Sequence, residues 1–226
     1  MRALADRVLR YAGVKLPVLV RGESGVGKDL VARALHTLGP RRGAPFVAIN
    51  AATISRELAE SELFGHVRGA FTGAVSDRRG AFREAHGGTL FIDEIGALGA
   101  EIQAKLLRVV EDGLVRPLGS EVRAPVDVRL VAATCEPLER MVDDGRFRED
   151  LYERLAVCVA TVPALHERAD DIPAIARTVL ANSGFVCRIS SRAMGMLVSR
   201  RYRGNVRELR NILVQCAVRS TTDVID

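Results

Sequence analysis

Residues 22–29 read "GESGVGKD", preceded by the apolar run "LPVLVRG" (16–22) and followed by a helical pattern over 28–38. A short β-branched run ended by glycine reads as a buried strand. Gly22, four residues, then Gly27 and Lys28 give the P-loop spacing, set between that strand and that helix. The glycines let main-chain N–H groups curl around phosphate oxygens at a helix N-terminus, and Lys28 reaches the terminal phosphates. Gly22, Glu23, Ser24, Gly25, Val26, Gly27, Lys28 and Asp29 are therefore the candidate nucleotide-binding residues. Lys28 is one of three lysines among 33 basic residues, so its place in the loop is not the by-product of a lysine-rich chain. Asp29 stands where a Ser or Thr hydroxyl usually meets Mg²⁺. It reads equally as a partner of the helix dipole or as part of a magnesium shell.

A P-loop needs a sheet to carry it. "APFVAIN" (44–50), "GTLFIDE" (88–94), "VDVRLVAAT" (126–134) and "AVCVATVP" (156–163) read as further buried strands. Helical patterns over 55–64, 99–111 and 138–155 alternate with them. Such alternation predicts an α/β fold, a parallel sheet sandwiched by helices. After Pro163 the strands stop, and "DIPAIARTVLANS", "SRAMGMLVSR" and "NVRELRNILVQCAVRS" are all helical in period. The expected division is an α/β nucleotide-binding core over 1–162 and a small all-helical subdomain over 163–226. With 48% hydrophobic residues, 4% aromatics and no Trp, the core must be built from Leu, Val, Ile and Ala. Cys135, Cys158, Cys187 and Cys216 show neither metal-ligand spacing nor a disulfide framework, which predicts a reducing, cytoplasmic setting. No apolar run approaches the roughly 20 residues of a membrane span, and "MRALADRVLRYAG" reads as an amphipathic helix instead of a signal peptide.

"GGTLFIDEI" (87–95) supplies a second half to the P-loop. Asp93 and Glu94 emerge at the C-terminal end of a predicted strand, where ligands bind in open α/β sheets. Asp93 is placed to hold Mg²⁺ through water, and Glu94 to orient and deprotonate an attacking water. The chain has no Asn-Lys-x-Asp, which argues against guanine specificity and for ATP.

Between these halves lies "ESELFGHVRGAFTGAVSDRRG", containing Gly69, Ala70, Phe71, Thr72, Gly73 and Ala74. These six include no acid, base or metal ligand, although charged residues crowd both flanks. Glycines supply hinges, and Phe71 with Thr72 offers one apolar anchor and one hydroxyl.

Taken in order and spacing, "GESGVGKD", "ELFGHVRGAFTGA", "GGTLFIDEI", "FREDLYERL" and "YRGNVRELRN" resemble the AAA+ domain of bacterial enhancer-binding proteins, the NtrC-like activators of sigma-54 RNA polymerase. The resemblance runs from about residue 14 to 219. It implies an AAA+ P-loop ATPase using ATP and Mg²⁺, a ring-shaped homo-oligomer that is typically hexameric, and a Gly69–Ala74 loop that touches sigma-54. It implies that Asn50 hydrogen-bonds Glu94 and relays nucleotide state. Arg148 and Arg154 match the arginine fingers that reach a neighbouring subunit's site; their six-residue spacing predicts a break near 149–150. Arg207 matches the sensor that reaches the phosphates from the helical lid. Thr134 and Cys135 match a sensor pair at a strand end, where the family carries Thr-Asn; a thiol hydrogen-bonds poorly beside a carboxamide. Arg203 replaces the proline the family has before Gly204-Asn205, which predicts a looser entry into the last helix.

Two other classes stay open at this level. One is a nucleotide-dependent regulatory module with little turnover, suggested by Cys135 and Arg203. The other is an ATPase acting on DNA through Arg188, Arg192, Arg200, Arg201, Arg203, Arg207 and Arg210, set against Glu208 alone; a solvated lid surface is the competing reading. DNA is otherwise expected to be met indirectly, and no membrane contact is expected. No receiver segment precedes residue 14 and no helix-turn-helix follows 219, so the expectation is a catalytic domain from a longer protein.

Overall fold

The computed structural model describes residues 1–185, 187–220 and 222–226, with the backbone alone for Arg56 and Glu57. Two compact units divide the chain. One comprises Arg2–Arg21 and Lys28–Thr161; the other gathers Met1, Gly22–Gly27 and Val162–Asp226.

The larger unit is built on five strands: β1 (Val18–Arg21), β2 (Phe46–Asn50), β3 (Thr89–Asp93), β6 (Arg129–Thr134) and β7 (Cys158–Thr161). They pair in the order β2-β3-β6-β1-β7, every pair parallel. Val18, Leu19 and Val20 are all fully buried, so both faces of β1 are covered, as a parallel sheet requires. Register aligns the strand ends: Arg21 lies opposite Thr134, and Asn50 opposite Asp93. The C-terminal ends of β1, β2, β3 and β6 thus form one rim.

Around the sheet run α1 (Arg2–Ala12), α2 (Lys28–Thr37), α3 (Arg56–Phe64), the short α4 (Ala81–Glu84) and α5 (Ala100–Asp112). Helix α5 buries Ile102, Leu106 and Val109 on one stripe. It stops at Gly113, whose φ of 64° lets its N–H turn back onto the Val109 carbonyl. A two-stranded antiparallel ribbon follows, β4 (Leu114–Val115) with β5 (Ala124–Pro125). Arg129 is buried at the start of β6 and donates to the carbonyls of Tyr11 (2.5 Å), Ala12 and Leu35 (3.0 Å each). It thereby satisfies orphan carbonyls at the ends of both α1 and α2.

The helix expected over 138–155 is two helices, α6 (Leu138–Asp143) and α7 (Glu149–Leu155). The break lies just before the expected position. Gly145 adopts φ 67°, and Arg148 is extended at the N-cap of α7. Buried Gln103 bridges the gap, donating to the carbonyls of Leu98 (2.7 Å) and Arg146 (3.0 Å) and accepting from the Arg148 N–H (2.9 Å). A buried amide with both ends used fixes the bend where a straight helix would leave these groups unpaired.

The smaller unit packs a 3₁₀ segment, Leu165–Asp171, with α8 (Ile172–Asn182), α9 (Ser191–Ser199) and α10 (Asn205–Arg219). Its own core holds Leu165, Ile172, Leu180, Tyr202, Leu209 and Leu213. Ser190 caps α9 by accepting the Ala193 N–H. This unit is not wholly helical as expected: β8 (Arg188–Ile189) and β9 (Val224–Ile225) form a parallel pair. Two residues per strand are too few to carry a period-2 signal.

Candidate functional site

On the rim of the larger unit, Lys28 opens α2 with its side chain 6% exposed. Its ammonium lies 3.2 Å from the Glu94 carboxylate. Glu94 sits one residue past β3 in the left-handed region, φ 52° and ψ 52°, a conformation that costs a non-glycine residue about 1–3 kcal/mol. That turn sends its carboxylate toward Lys28 and onto the main-chain N–H of Cys135, 3.0 Å away. Asp93 stays in strand geometry and accepts the Glu94 N–H at 3.1 Å.

Asn50 meets Asp93, not Glu94 as the resemblance implied: its amide donates to the Asp93 carboxylate at 3.4 Å and accepts the Ala52 N–H at 2.9 Å. The cause is register, since Asn50 and Asp93 are cross-strand neighbours while Glu94 turns away.

The two carboxyls are pushed apart electrostatically. Burial, then repulsion from Glu94, raises Asp93 above the usual carboxylate range despite the Lys28 charge. Burial alone would raise Glu94 too, but the Cys135 N–H and thiol and the Lys28 ammonium outweigh it and hold the carboxyl below its usual range. Glu94 is thus kept as a base and Asp93 as a carboxylate short of positive charge. Among the described residues no cluster of three or more His, Cys, Asp or Glu could hold a metal unaided. A lone carboxylate short of positive charge, as Asp93 is, is the kind of ligand Mg²⁺ takes when substrate phosphates complete its shell.

A raised folded-state pKa means that ionised Asp93 costs stability above that pKa, a cost relieved as pH falls through it. Asp93→Asn is therefore expected to raise the apo unfolding temperature at neutral pH, by roughly 2–4 °C per kcal/mol relieved, while turnover is lost. Thermal scans without nucleotide or divalent cation check this; an unchanged or lower midpoint contradicts it.

At the end of β6, Thr134 is buried and its hydroxyl accepts the Glu136 N–H at 2.9 Å. Cys135 reaches Glu94 through its backbone, so the contact does not depend on a carboxamide side chain. Its thiol is raised by burial and by bonding to Glu94.

In the smaller unit, the glycine-rich segment folds against the start of α10. Gly25 has φ 78°, and a Cβ there would lie 2.3 Å from the Gly204 carbonyl. Its own carbonyl accepts the N–H groups of Val206 (3.0 Å) and Arg207 (3.3 Å). Arg207 donates to the Ser24 hydroxyl at 3.1 Å, and Arg168 donates to the Val26 carbonyl at 2.8 Å. The loose helix entry expected from Arg203 is not found. Fully buried Asn205, φ 50°, pins it by donating to Glu23 (2.9 Å) and the Ser24 carbonyl (3.1 Å) and accepting the Leu165 N–H (2.8 Å). Asp29 is exposed in the first turn of α2.

The Gly69–Ala74 segment forms a closed turn in the larger unit: the Gly69 N–H donates to Ala74 and the Ala74 N–H to Phe71. Gly69 and Gly73 have φ 81° and 99° with open space around them. Phe71 is 37% exposed, Thr72 is exposed, and Ala70 and Ala74 point back toward the fold.

Arg148 and Arg154 are not brought to this rim cluster. Arg148 forks onto Asp150 (3.0 and 2.6 Å), and Arg154 pairs with Glu111 (3.1 Å). Three residues given no role by sequence reading join their helix to the P-loop strand. Arg21, the last residue of β1, donates to Glu139 (2.5 Å) and to the Tyr152 hydroxyl (3.0 Å), which itself donates to Glu139 (2.9 Å). Separations of 118 and 131 residues hid this triad from sequence reading.

A family model described as the sigma-54 interaction domain matches residues 1–161, and one described as the AAA+ ATPase lid domain matches 166–226. The DNA-binding transcriptional regulator NtrC of Azospirillum brasilense is 49% identical over 97% of the chain, 47% of its own length. The transcriptional regulatory protein GlrR of Escherichia coli K12 is 45% identical over the whole chain, 52% of its own length. The chain thus spans about half of such relatives. The crystal structure of NtrX from Brucella abortus superposes with a TM-score of 0.91 at 37% identity, covering all of this chain and 53% of that one. NtrX in complex with ATP gives 0.87 at 36% identity, again over the whole chain and 53% of that one.

Proposed function

Because the chain belongs to the sigma-54 interaction domain family, whose AAA+ lid it also carries, we propose that it is the ATP-hydrolysing motor of a transcription activator, remodelling the sigma-54 RNA polymerase closed complex. The observation that carries this reading is the Lys28–Glu94–Cys135 constellation beside Asp93, with the Gly69–Ala74 loop on the same unit.

In the smaller unit the main-chain N–H groups of Gly22–Gly27 are the groups suited to phosphate, and in the larger unit the Lys28 ammonium is. Asp93 would hold Mg²⁺, and bound Mg²⁺ supplies neutralisation of the β- and γ-phosphate charge. In the resting chain Lys28 is drawn to Glu94. Arrival of the γ-phosphate offers Lys28 a stronger partner, and Glu94 is released to take a proton from the attacking water. The Cys135 N–H keeps the base aimed, Thr134 holds the adjoining turn at Glu136, and Asn50 reads the state of Asp93. Arg207, resting on Ser24, is the sensor that meets the phosphates.

Arg148 and Arg154 occupy exposed ion pairs of little stabilising value, so they are free to be recruited by an adjoining protomer. Head-to-tail contacts that close give rings, and the ring proposed is a hexamer. Phe71 and Thr72 form the tip that engages sigma-54.

Thr72→Ala tests the division of labour. The hydroxyl has no hydrogen-bond partner among the described residues, so its removal should leave ATP turnover largely intact while abolishing open-complex formation at a sigma-54 promoter. Parallel loss of both activities would contradict the assignment.

A further inference from the structure

We propose that His66 is a positioning residue that parks Phe71 against the body of the larger unit and so sets the threshold for extending the loop; this rests on reading that loop as the sigma-54 contact. His66 belongs to a fixed frame. Its backbone exchanges both hydrogen bonds with Arg78, at 3.0 and 2.9 Å. On the other side it bridges to Leu118, with the Val67 N–H donating to the Leu118 carbonyl and the Leu118 N–H to the Gly65 carbonyl. Its side chain is equally constrained: the residue is buried, and its Nδ1 lies 2.7 Å from the hydroxyl of Ser61, itself buried on α3.

The Phe71 ring stands edge-on to this imidazole, centroids 5.0 Å apart and planes at 69°. Among the described residues no other ring lies against Phe71. The loop on which it rides turns on Gly69 and Gly73, neither crowded by neighbours. A buried imidazole, hydrogen-bonded to Ser61 on a backbone bridged on both sides, thus receives the one aromatic of a segment pivoted on glycines. Edge-on aromatic pairing biases such an equilibrium by about two- to tenfold, enough to keep the tip docked and small enough for nucleotide-driven motion to overcome.

The chain has no tryptophan, so Phe71→Trp introduces a sole indole at the tip. Without nucleotide its emission is expected to be that of a partly shielded ring, quenched less by acrylamide than a free indole. Adding His66→Ala should shift emission to the red and raise quenching, whereas His66→Phe, which keeps a ring at that place, should preserve the shielded signal. ADP with aluminium fluoride should produce the exposed signal in the Phe71→Trp chain and no further change in the His66→Ala double variant. Equal emission and quenching with and without His66 would overturn the proposal. Should His66→Ala fail to fold, His66→Leu, which fills much of the same space without a ring, is read the same way: an unchanged signal overturns the proposal. A second arm measures sigma-54 capture without nucleotide, expected to rise in His66→Ala with Phe71 retained. If the indole reports parking but sigma-54 is captured by no variant under any condition, it is the sigma-54 reading that fails and not the parking.

Discussion

Arg154→Ala is expected to lower kcat by about 10³–10⁵, the range associated with an arginine supplied to a phosphoryl-transfer site. The local structure offers no other route to so large an effect. Arg154 lies in the last turn of α7, 60% exposed, and its partner is the exposed Glu111. Loss of such a pair costs at most about 1 kcal/mol of stability, so the variant should fold and assemble. If the guanidinium acts in the neighbouring protomer, mixing Arg154→Ala with Lys28→Ala rebuilds competent sites wherever a sound P-loop faces a sound finger. Each variant alone should be nearly inactive and the mixture measurably active. A mixture no better than the sum of its parts would contradict action between protomers.

Glu94→Gln is the second large effect, a loss of about 10²–10⁴ in turnover, the usual contribution of a positioned base. ATP affinity should not fall with it. Glu94 holds the Lys28 ammonium at 3.2 Å, and a neutral amide removes that competitor for the lysine. The expected outcome is an ATP-trapped chain, measured as single-turnover hydrolysis against equilibrium nucleotide binding. If affinity fell in proportion to turnover, Glu94 would be a binding residue instead of the base.

What was legible beforehand was local in the chain. The P-loop, the Asp93–Glu94 strand end and the glycine-hinged loop each declare their chemistry within about ten consecutive residues, and a parallel sheet follows from strands alternating with helices. What was not legible depends on register or on backbone. Asn50 faces Asp93 because β2 and β3 pair in a particular register, which no single strand encodes. The Cys135 contact to Glu94 is made by a main-chain N–H, so the side-chain departure mattered less than the residue type suggested. Gln103 reads as one more polar residue on an amphipathic helix, yet it is 1% exposed and holds the bend before α7. Asn205 reads as the first residue of a helical pattern, yet its amide ties the start of α10 to Glu23 and Ser24. In each case a long-range partner decides the role.

Size-exclusion chromatography of this chain with purified sigma-54, in the presence of ADP and aluminium fluoride, bears most directly on the central claim that phosphate chemistry drives the loop onto its target. The account expects a multimeric chain co-eluting with sigma-54 with the analogue present, no such complex with ADP alone, and none from Thr72→Ala. A chain that hydrolyses ATP yet elutes as a single copy apart from sigma-54 under every nucleotide condition would contradict it.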